Sequence, residues 1–357
     1  MSTIRLHALG SAVDVDLEGS GLDEAEFRRL WSRCLGHSAR FDPADESVAG
    51  PGSGTGRLQF SRPTSFESAT QRITKALIEQ QWGNLLMLHA GAVTDPSTGR
   101  TLAYVAPGGT GKSTLTRLLG RELGYVTDET VGVDPESLRV LPYPKPITWA
   151  AEPGTRKVEH APESLGLVET PAEPVLARLA VLRRRNGAEA TFTELSVLDA
   201  MEMVVPETSS LSKLPRPLHL LAELFERVGG VTLIEHGEAE DIVGWCRDSL
   251  GFDAPSSSQS SESPGFDEPA PLAGSGVAGS TNVVDQYVNG AESVVLLEDT
   301  LLRLGPIATS IVQQWPLPVA ELAAALEAEF GAPEGIDLVA AVEEQLDTLA
   351  EHKVLER

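Results

Sequence analysis

The feature that most restricts how this chain can fold is a glycine-rich string at 106–113, Ala-Pro-Gly-Gly-Thr-Gly-Lys-Ser. An apolar stretch, Leu-Ala-Tyr-Val, precedes the string, and an amphipathic stretch, Ser-Thr-Leu-Thr-Arg-Leu-Leu, begins at its last residue. This order predicts a strand, a tight loop and a helix, which is the context in which such a string binds phosphate. The alternative is a glycine-rich turn that binds nothing, but the flanking strand and helix favour the phosphate site.

Each residue type in this string has a physical task. The glycines let consecutive backbone N–H groups turn inward around phosphate oxygens, and the start of the helix adds partial positive charge. Lys112 is expected to reach the β- and γ-phosphates of a nucleoside triphosphate, and the Ser113 hydroxyl to ligate Mg²⁺. Ala106 replaces the usual first glycine, which is costly only if that residue needs a positive φ. The predicted nucleotide-binding residues are Gly108, Gly109, Thr110, Gly111, Lys112, Ser113 and Thr114.

Two adjacent carboxylates, Asp128 and Glu129, follow 16 residues after Lys112 at the end of a short predicted strand, 125–127. In an α/β sheet the carboxyl ends of strands point into the ligand crevice. One carboxylate can hold Mg²⁺ while the other accepts a proton from an attacking hydroxyl. The predicted metal ligands are therefore Ser113, Glu129 and Asp128. The alternative is an acidic turn, which is common in so acidic a chain.

His89 ends an apolar run, Leu-Leu-Met-Leu-His, that precedes the glycine-rich string. A histidine in this setting is usually a core residue with a satisfied hydrogen bond. Its neighbours nevertheless place it at the sheet edge near the loop, where it can donate to a γ-phosphate or tune a carboxylate. The predicted catalytic residues are Asp128, His89 and Lys112.

Composition excludes some function classes. The chain has 357 residues, enough for two or three domains, and a formal net charge of −24. That charge disfavours nucleic acid and anionic membrane as partners. No secretion signal or membrane-spanning run is visible, and Cys34 and Cys246 match no metal or disulfide spacing. We therefore expect a cytoplasmic protein with reduced, partly buried thiols.

A Ser-, Pro- and Gly-rich stretch without Lys or Arg at 254–281 is predicted to be a flexible linker, although a long ordered loop is the alternative. It separates a first domain, 1–253, from a second, 282–357. In the first domain the periodicity predicts strands at 4–9, 12–17, 84–89, 90–94, 101–105, 125–127, 139–141, 178–183 and 231–235. It predicts helices at 23–33, 65–80, 112–123, 218–228 and 240–250, with a loop at 46–57. Alternating strands and helices indicate an α/β core.

The segments LHAGAV, AYVAPGGTGKSTLTRLL, GYVTDE and LPYPKPI together resemble the catalytic domain of HPr kinase and its relatives, with good specificity over 80–150 and more loosely to about 250. The resemblance implies a P-loop kinase core related to phosphoenolpyruvate carboxykinase. It implies that Asp128 is the base acting on a serine hydroxyl, and that the relatives often assemble into homo-oligomers. HPr kinase has Asp where this chain has Glu129, and its loop for the reverse, phosphorolytic reaction has no counterpart here.

A basic residue should complete such a site by steadying the transferred phosphate. Lys145, Lys213 and Arg216 are the candidates, and Lys145 is preferred because PYPKPI recurs in HPr-kinase-like proteins. The alternative for Lys145 is a solvated loop lysine between prolines. The run 183–185, three arginines, either contacts nucleotide or is the solvated end of a strand; we favour the strand end.

After the predicted linker, the pattern indicates a hairpin at 294–304 and three helices at 305–314, 319–330 and 337–352. The pattern alone indicates a small winged-helix-like α+β domain, either a structural cap or a DNA reader. From residue 283 onward it carries 14 Asp and Glu against 3 Lys and Arg, which argues against DNA.

The order of these elements resembles the PqqD-like family, peptide-recognition domains in the biosynthesis of ribosomally made, modified peptides. The resemblance implies that a leader peptide adds as a strand beside the third strand, Thr300–Leu304, and against the last helix, 337–352. The negative charge would favour a leader with basic residues.

Two hypotheses follow from different classes. The first is an ATP- and Mg²⁺-dependent kinase that phosphorylates a Ser or Thr of a precursor peptide or small protein held by the second domain. The second is a nucleotide-binding chaperone or delivery module with little or no transfer. A weaker third hypothesis is a small-molecule kinase whose second domain serves only oligomerisation.

Overall fold

A computed structural model describes residues 3–35, 56–149, 158–171, 173–251, 280–331 and 335–357. Over these ranges the chain is mixed α/β and divides into two compact units. The first unit comprises Met1–Leu195, Glu207–Leu214 and Leu224–Phe252, and the second comprises Ser196–Pro206, Pro215–Glu223 and Asp253–Arg357. The second unit therefore includes two segments that precede the predicted linker. Most of that linker, 254–279, and most of the predicted loop, 46–55, lie outside the described residues.

The strands in the described ranges, numbered along the chain, are β1 (Ile4–Ala8), β2 (Ser11–Asp16), β3 (Gly56–Gln59), β4 (Leu86–Thr94), β5 (Arg100–Val105), β6 (Gly124–Thr127), β7 (Thr130–Val133), β8 (Val140–Leu141), β9 (Ile147–Trp149), β10 (Val158–His160), β11 (Val175–Arg184), β12 (Thr191–Glu194), β13 (Thr208–Ser209), β14 (Val231–His236), β15 (Val283–Asn289), β16 (Glu292–Leu297) and β17 (Thr300–Leu304). The helices are α1 (Glu24–Leu30), α2 (Phe66–Gln80), α3 (Lys112–Leu119), α4 (Val197–Val204), α5 (Pro217–Arg227), α6 (Val243–Gly251), α7 (Pro306–Gln314), α8 (Val319–Phe330) and α9 (Leu338–Glu351).

A nine-stranded sheet forms the centre of the first unit as described, in the order β12-β14-β11-β5-β4-β7-β8, with β6 and β13 also paired to β4. Strands β5, β11 and β14 run parallel, so their carboxyl ends lie along one edge of the sheet. The glycine-rich loop leaves β5 at this edge, where ligands bind in open α/β sheets. The apolar core beneath it joins β5 and β11 to α3 and α6 through residues such as Tyr104, Leu182, Leu115 and Leu250.

A smaller sheet, β1-β2-β3, packs with α1 and α2 on a second cluster of the first unit. Helix α2 begins where the sequence predicts, because the Ser65 side chain accepts a hydrogen bond from the Ser68 N–H. Its buried face includes Ile73 and Leu77, four residues apart on one side of the helix. The two strands predicted at 4–9 and 12–17 are confirmed as the antiparallel pair β1 and β2.

The second unit contains an antiparallel sheet, β15-β16-β17, with a core shared by α7, α8 and α9. The predicted hairpin and three helices of this region are confirmed within one or two residues. Strand β15 and helix α4 were not predicted. The buried carboxylate of Asp285 on β15 accepts a hydrogen bond from the Leu218 N–H at the start of α5. This strand therefore supplies a cap for a helix that lies 67 residues away in sequence.

Two boundaries differ from the sequence prediction. The segments 84–89 and 90–94 form one strand, β4, because the chain stays extended while its partners change from β7 to β5. Helix α3 ends at Leu119 rather than near 123, because Gly120 follows and glycine is unfavourable in the interior of a helix. The remaining predicted strands and helices of the first unit correspond to elements at the expected places.

Candidate active site

The glycine-rich loop, 106–113, joins β5 to α3 and is open on its outer side. Gly109 and Gly111 have φ values of 85° and 106°, a region that favours glycine. A methyl group placed on Gly108, Gly109 or Gly111 would meet no atom within 4 Å. Ala106 is fully buried and lies outside the positive-φ region, so its methyl group introduces no backbone strain.

Lys112 lies at the first position of α3 and is 7% exposed. Its ammonium group donates to the carbonyls of Ala106 and, at 3.3 Å, Pro107, which closes the base of the loop. Burial lowers the pKa of Lys112, and the carboxylates of Glu207, Asp128 and Glu129 oppose that shift. Three carboxylates therefore act electrostatically on the lysine that the sequence assigns to phosphate.

The structure brings Ser113 and Asp128 together as the sequence predicts. The Ser113 Oγ donates to Asp128 Oδ2 at 2.7 Å. The single proton of the Tyr125 hydroxyl is shared between Asp128 Oδ1 at 3.2 Å and the Lys145 carbonyl at 3.0 Å. The carboxylate follows β6 directly and is only 4% exposed. Both of its oxygens are therefore already engaged by protein donors.

Lys145 links the two adjacent carboxylates. Its Nζ lies 2.9 Å from Asp128 Oδ1 and 3.0 Å from Glu129 Oε2, and its side chain is 4% exposed. Burial alone would lower the pKa of Lys145, but the charges of Asp128 and Glu129 outweigh burial and raise it. The ammonium stays charged because it neutralises a pair of carboxylates that would otherwise repel one another.

Among the three candidate cations, Lys145 is the one that contacts the acidic pair. Lys213 is exposed in the short 3₁₀ helix Leu211–Lys213, and Arg216 belongs to the second unit. The arginines at 183–185 end β11 and pair with Glu235 and Glu238. The interpretation of that run as a solvated strand end is confirmed.

His89 forms a dyad with Glu207. The His89 Nδ1 lies 2.9 Å from Glu207 Oε2; the histidine side chain is 42% exposed and the glutamate side chain 15%. The dyad follows from strand pairing, since β13 pairs with β4 in the register that sets Thr208 opposite Leu88. The same stretch of β4 pairs Ala90 with Val105, at the start of the loop, and His89 with Thr130, just after the acidic pair. His89 therefore lies between the phosphate loop and the acidic pair.

Sequence reasoning missed three residues of this neighbourhood. Glu207 lies 118 residues from His89 in a segment without a motif, and Tyr125 reads as an apolar strand residue. Glu159 on β10 has two buried carboxylate oxygens and is influenced electrostatically by Lys145 and Glu129; burial raises its pKa. No spacing signal connects any of the three to the loop.

Thr110 and Thr114, both predicted to bind nucleotide, have different surroundings. The Thr110 hydroxyl donates to the Pro107 carbonyl at 2.8 Å and so braces the loop from within. Thr114 is exposed in the first turn of α3. The two cysteines are more buried than expected, at 1% exposure or less, and burial raises the pKa of each thiol to about 12.

The oxygen donors of this site suit a hard cation. Ser113, Asp128 and Glu129 offer hydroxyl and carboxylate oxygens, whereas the described residues contain no group of three or more His, Cys, Asp or Glu that could hold a metal by itself. Mg²⁺ is usually bound by one or two carboxylates together with water and substrate phosphates. The donor set therefore fits Mg²⁺ that is bound jointly by protein and nucleotide.

The predicted peptide surface belongs to the second unit. Strand β17 pairs with β16 along one edge, and no other strand of the described residues pairs with it. Val339 on α9 and Ile336 just before it are 43% and 56% exposed. This unit therefore presents an edge strand without a second strand partner among the described residues, although α4 contacts it through Arg303, and it presents exposed apolar side chains.

A comparison with protein-family models finds no match for this chain, and a comparison with curated proteins finds none either. None of the helices in the described ranges combines the length and the apolar character that crossing a membrane requires.

Proposed function

We propose that this protein is an HPr-kinase-like, P-loop kinase that transfers the γ-phosphoryl group of ATP to a Ser or Thr hydroxyl of a peptide or small protein. The observation that carries the proposal is the hydrogen bond from Ser113 Oγ to Asp128 Oδ2. In P-loop enzymes a hydroxyl at the start of the loop helix and a carboxylate at a strand end hold Mg²⁺ together. A glycine-rich turn without a ligand has no need to bring these two groups together.

The residues that would bind the substrate ATP are the loop and its lysine. The open outer side of 108–111 leaves room for phosphate oxygens, and the first amides of α3 have no acceptors within the helix. Lys112 would exchange its two carbonyl acceptors for phosphate oxygens. Bound Mg²⁺ would neutralise phosphate charge, with Ser113 and the acidic pair as its protein ligands.

Lys145 supports the same function by limiting the charge of the acidic pair. With its ammonium between Asp128 and Glu129, the three groups together carry a net charge of about −1 rather than −2. A site of this charge repels nucleotide phosphates less than two unpaired carboxylates would. The reduced negative charge also favours entry of Mg²⁺ together with the nucleotide.

The acceptor class rests on the second unit. The edge of β17 that has no strand partner among the described residues and the exposed Val339 of α9 suit β-augmentation, in which a peptide adds a strand through main-chain hydrogen bonds. The excess of acidic over basic residues from 283 onward favours a basic peptide. Tethering a peptide raises the effective concentration of its hydroxyl near the site.

The kinase proposal is tested with the full chain, γ-labelled ATP, Mg²⁺ and a library of basic peptides that contain Ser or Thr. The label should appear in the peptide, and the mass of the peptide should rise by about 80 Da, the mass of one transferred phosphoryl group. Lys112→Ala should remove the transfer because the loop loses its phosphate cation, and Lys75→Ala, an exposed lysine of α2, should not change it. ADP release without labelled peptide would instead support the delivery-module alternative.

The peptide surface is tested separately by binding of the same library. Val339→Asp should weaken peptide binding about 10-fold or more, because a charge replaces an exposed apolar contact. Thr348→Asp is the control, since nine residues along an α-helix correspond to about half a turn of rotation to the opposite face. Nucleotide affinity should be the same in both variants, and equal peptide binding by both would remove α9 from the proposed surface.

A further inference from the structure

The carboxylate expected to act as base, Asp128, is poorly placed to accept a proton from a substrate. Its Oδ2 receives the Ser113 hydroxyl, and its Oδ1 receives the Tyr125 hydroxyl and lies against the Lys145 ammonium. The side chain is 4% exposed. A general base must come within hydrogen-bond reach of the proton it removes. In this arrangement both oxygens of the carboxylate are engaged, and one becomes available to a substrate proton only when its contacts with Ser113, Tyr125 or Lys145 rearrange.

His89 meets the requirement better. Its ring is 42% exposed, ten times the exposed fraction of Asp128, and its Nδ1 is held by Glu207 at 2.9 Å. Among the described residues, none forms a hydrogen bond with Nε2. A carboxylate on Nδ1 favours the tautomer with the proton on Nδ1, which leaves the Nε2 lone pair available.

Glu207 is suited to holding that tautomer. It is 15% exposed, it is the last residue of the 3₁₀ helix Val205–Glu207, and β13 begins at the next residue. Pairing of β13 with β4 fixes the glutamate opposite the histidine. The dyad is therefore set by backbone register rather than by two mobile side chains.

We propose that His89 is the general base of the phosphoryl transfer and that Glu207 is the residue that positions it, whereas Asp128 positions Ser113 and the metal. This inference rests on the proposed kinase function. In the step, the acceptor O–H bond breaks and its proton passes to His89 Nε2. The acceptor oxygen forms a bond to the γ-phosphorus while the bond from that phosphorus to the β–γ bridging oxygen breaks. ADP leaves, and the proton returns from the imidazolium to water.

The first experiment replaces His89 in two ways. Asn keeps an amide close to the position of Nδ1, and Gln keeps one close to the position of Nε2, but neither amide accepts a proton at neutral pH. Both His89→Asn and His89→Gln should lower kcat for peptide phosphorylation about 100-fold or more, the usual contribution of a general base. The affinities for ATP and ADP should both stay unchanged.

Each other result has a defined meaning. Full activity in His89→Asn would show that the histidine only holds Glu207, and full activity in His89→Gln would show a neutral hydrogen bond at Nε2. A selective loss of ATP affinity relative to ADP would show a contact with the γ-phosphate. Any of these results overturns the base assignment, as does a retained kcat in both variants combined with its loss in Glu129→Gln.

The second experiment tests Glu207 by a double-mutant cycle. Gln at 207 can donate a hydrogen to Nδ1 and so stabilise the unproductive tautomer. Glu207→Gln should lower kcat about 10-fold or more without changing KM for ATP, and the double variant with His89→Gln should be no slower than His89→Gln alone. Additive losses would overturn the positioning role. If the wild-type protein transfers no label to any peptide, the kinase proposal itself fails, which is distinct from a wild-type kinase that tolerates changes at His89.

Discussion

Each unit contains a nearly fully buried aspartate, and the two carboxylates have different kinds of hydrogen-bond partners. Asp128 in the first unit contacts side chains, namely the Ser113 and Tyr125 hydroxyls and the Lys145 ammonium. Asp285 in the second unit is 0% exposed and accepts from backbone, the N–H groups of Leu218 and Gln286, with the His219 ring 3.3 Å away. Asp285 satisfies a helix start that would otherwise have an unpaired amide.

The comparison teaches that burial of a carboxylate does not by itself identify a functional site. Around Asp128 the partners are side chains, and one of them, the Ser113 hydroxyl, lies in the first turn of α3 at the end of the glycine-rich loop, where a ligand can change its contacts. Around Asp285 two of the partners are backbone amides whose positions are fixed by α5 and β15, and the third is the ring of His219 on α5. The proposed ligand site is the one in which a partner, the Ser113 hydroxyl, can exchange its carboxylate acceptor for a ligand.

The largest expected effect is at the cation between the carboxylates of the first unit. Lys145→Met leaves Asp128 and Glu129 buried or half-buried without a counter-charge. Removing one partner of a buried ion pair costs about 3–5 kcal/mol in the free energy of unfolding. Urea denaturation measures this loss, and faster hydrogen exchange of the β6 amides would locate it.

Matched variants sharpen that result. Lys75→Met removes an exposed lysine and should change stability by less than about 0.5 kcal/mol. Adding Glu129→Gln to Lys145→Met should restore part of the loss, because one of the two repelling charges is gone. If the Lys145→Met protein is as stable as the wild type, the ion pairs of Lys145 with Asp128 and Glu129 contribute no net stability. Lys145 would then have only a functional role.

A smaller effect is expected at the buried cap of the second unit. Asp285→Ala should destabilise α5 by up to about 2 kcal/mol, since a lost N-terminal cap leaves a buried amide unpaired. The measurement is hydrogen exchange at Leu218, His219 and Leu220. Asp337→Ala removes the exposed cap of α9 and should have the smaller effect, confined to α9. Slow exchange at Leu218 in Asp285→Ala would contradict the capping role.

The smallest effect is expected at the surface network of the second unit. Arg303 lies within 2.6–2.9 Å of carboxylate oxygens of Asp199, Glu202 and Glu292, but these groups are partly exposed. Solvent screening limits such a network to less than about 1 kcal/mol. Arg303→Met should therefore lower the free energy of unfolding only slightly near neutral pH.

The stability difference between the wild type and Arg303→Met should change with pH in a definite direction. The hydroxyl of Ser196 and then the guanidinium of Arg303 lower the pKa of Asp199. A lowered carboxyl pKa stabilises the folded state above the ordinary aspartate pKa of about 3.9, and the contribution disappears as pH falls through the folded-state value. The difference between wild type and Arg303→Met should therefore be present at about pH 7 and shrink towards about pH 3. A difference that grows on acidification would contradict the assignment.

Most local features were predictable because they depend on neighbours in sequence. Ser65 caps α2 through an amide three residues away, and the loop after β5 has glycines at the two positions with positive φ. The pair Ser113 and Asp128 was also predictable, since a strand and a helix of known length bring their ends to one edge of the sheet. The division of β4 into two strands was wrong because periodicity does not show where a strand changes partners.

The rest required long-range pairing. Three basic residues were suitable by type, and the family resemblance favoured Lys145. The path of 142–146 then sets its ammonium against both carboxylates of the acidic pair. Asp285 and β15 lie well beyond α5 in sequence, and nothing in the local pattern connects them.

By itself the sequence determined the chemistry available at the sheet edge: a loop able to enclose phosphate, a lysine, a hydroxyl and two carboxylates. Those properties come from residue type and short spacing, which the chain carries before it folds. The tertiary structure decided which groups are already engaged and which are free. It encloses Asp128 among Ser113, Tyr125 and Lys145. It leaves the His89 ring open beside Glu207, 118 residues away in sequence, because burial and cross-strand register depend on how separate segments pack.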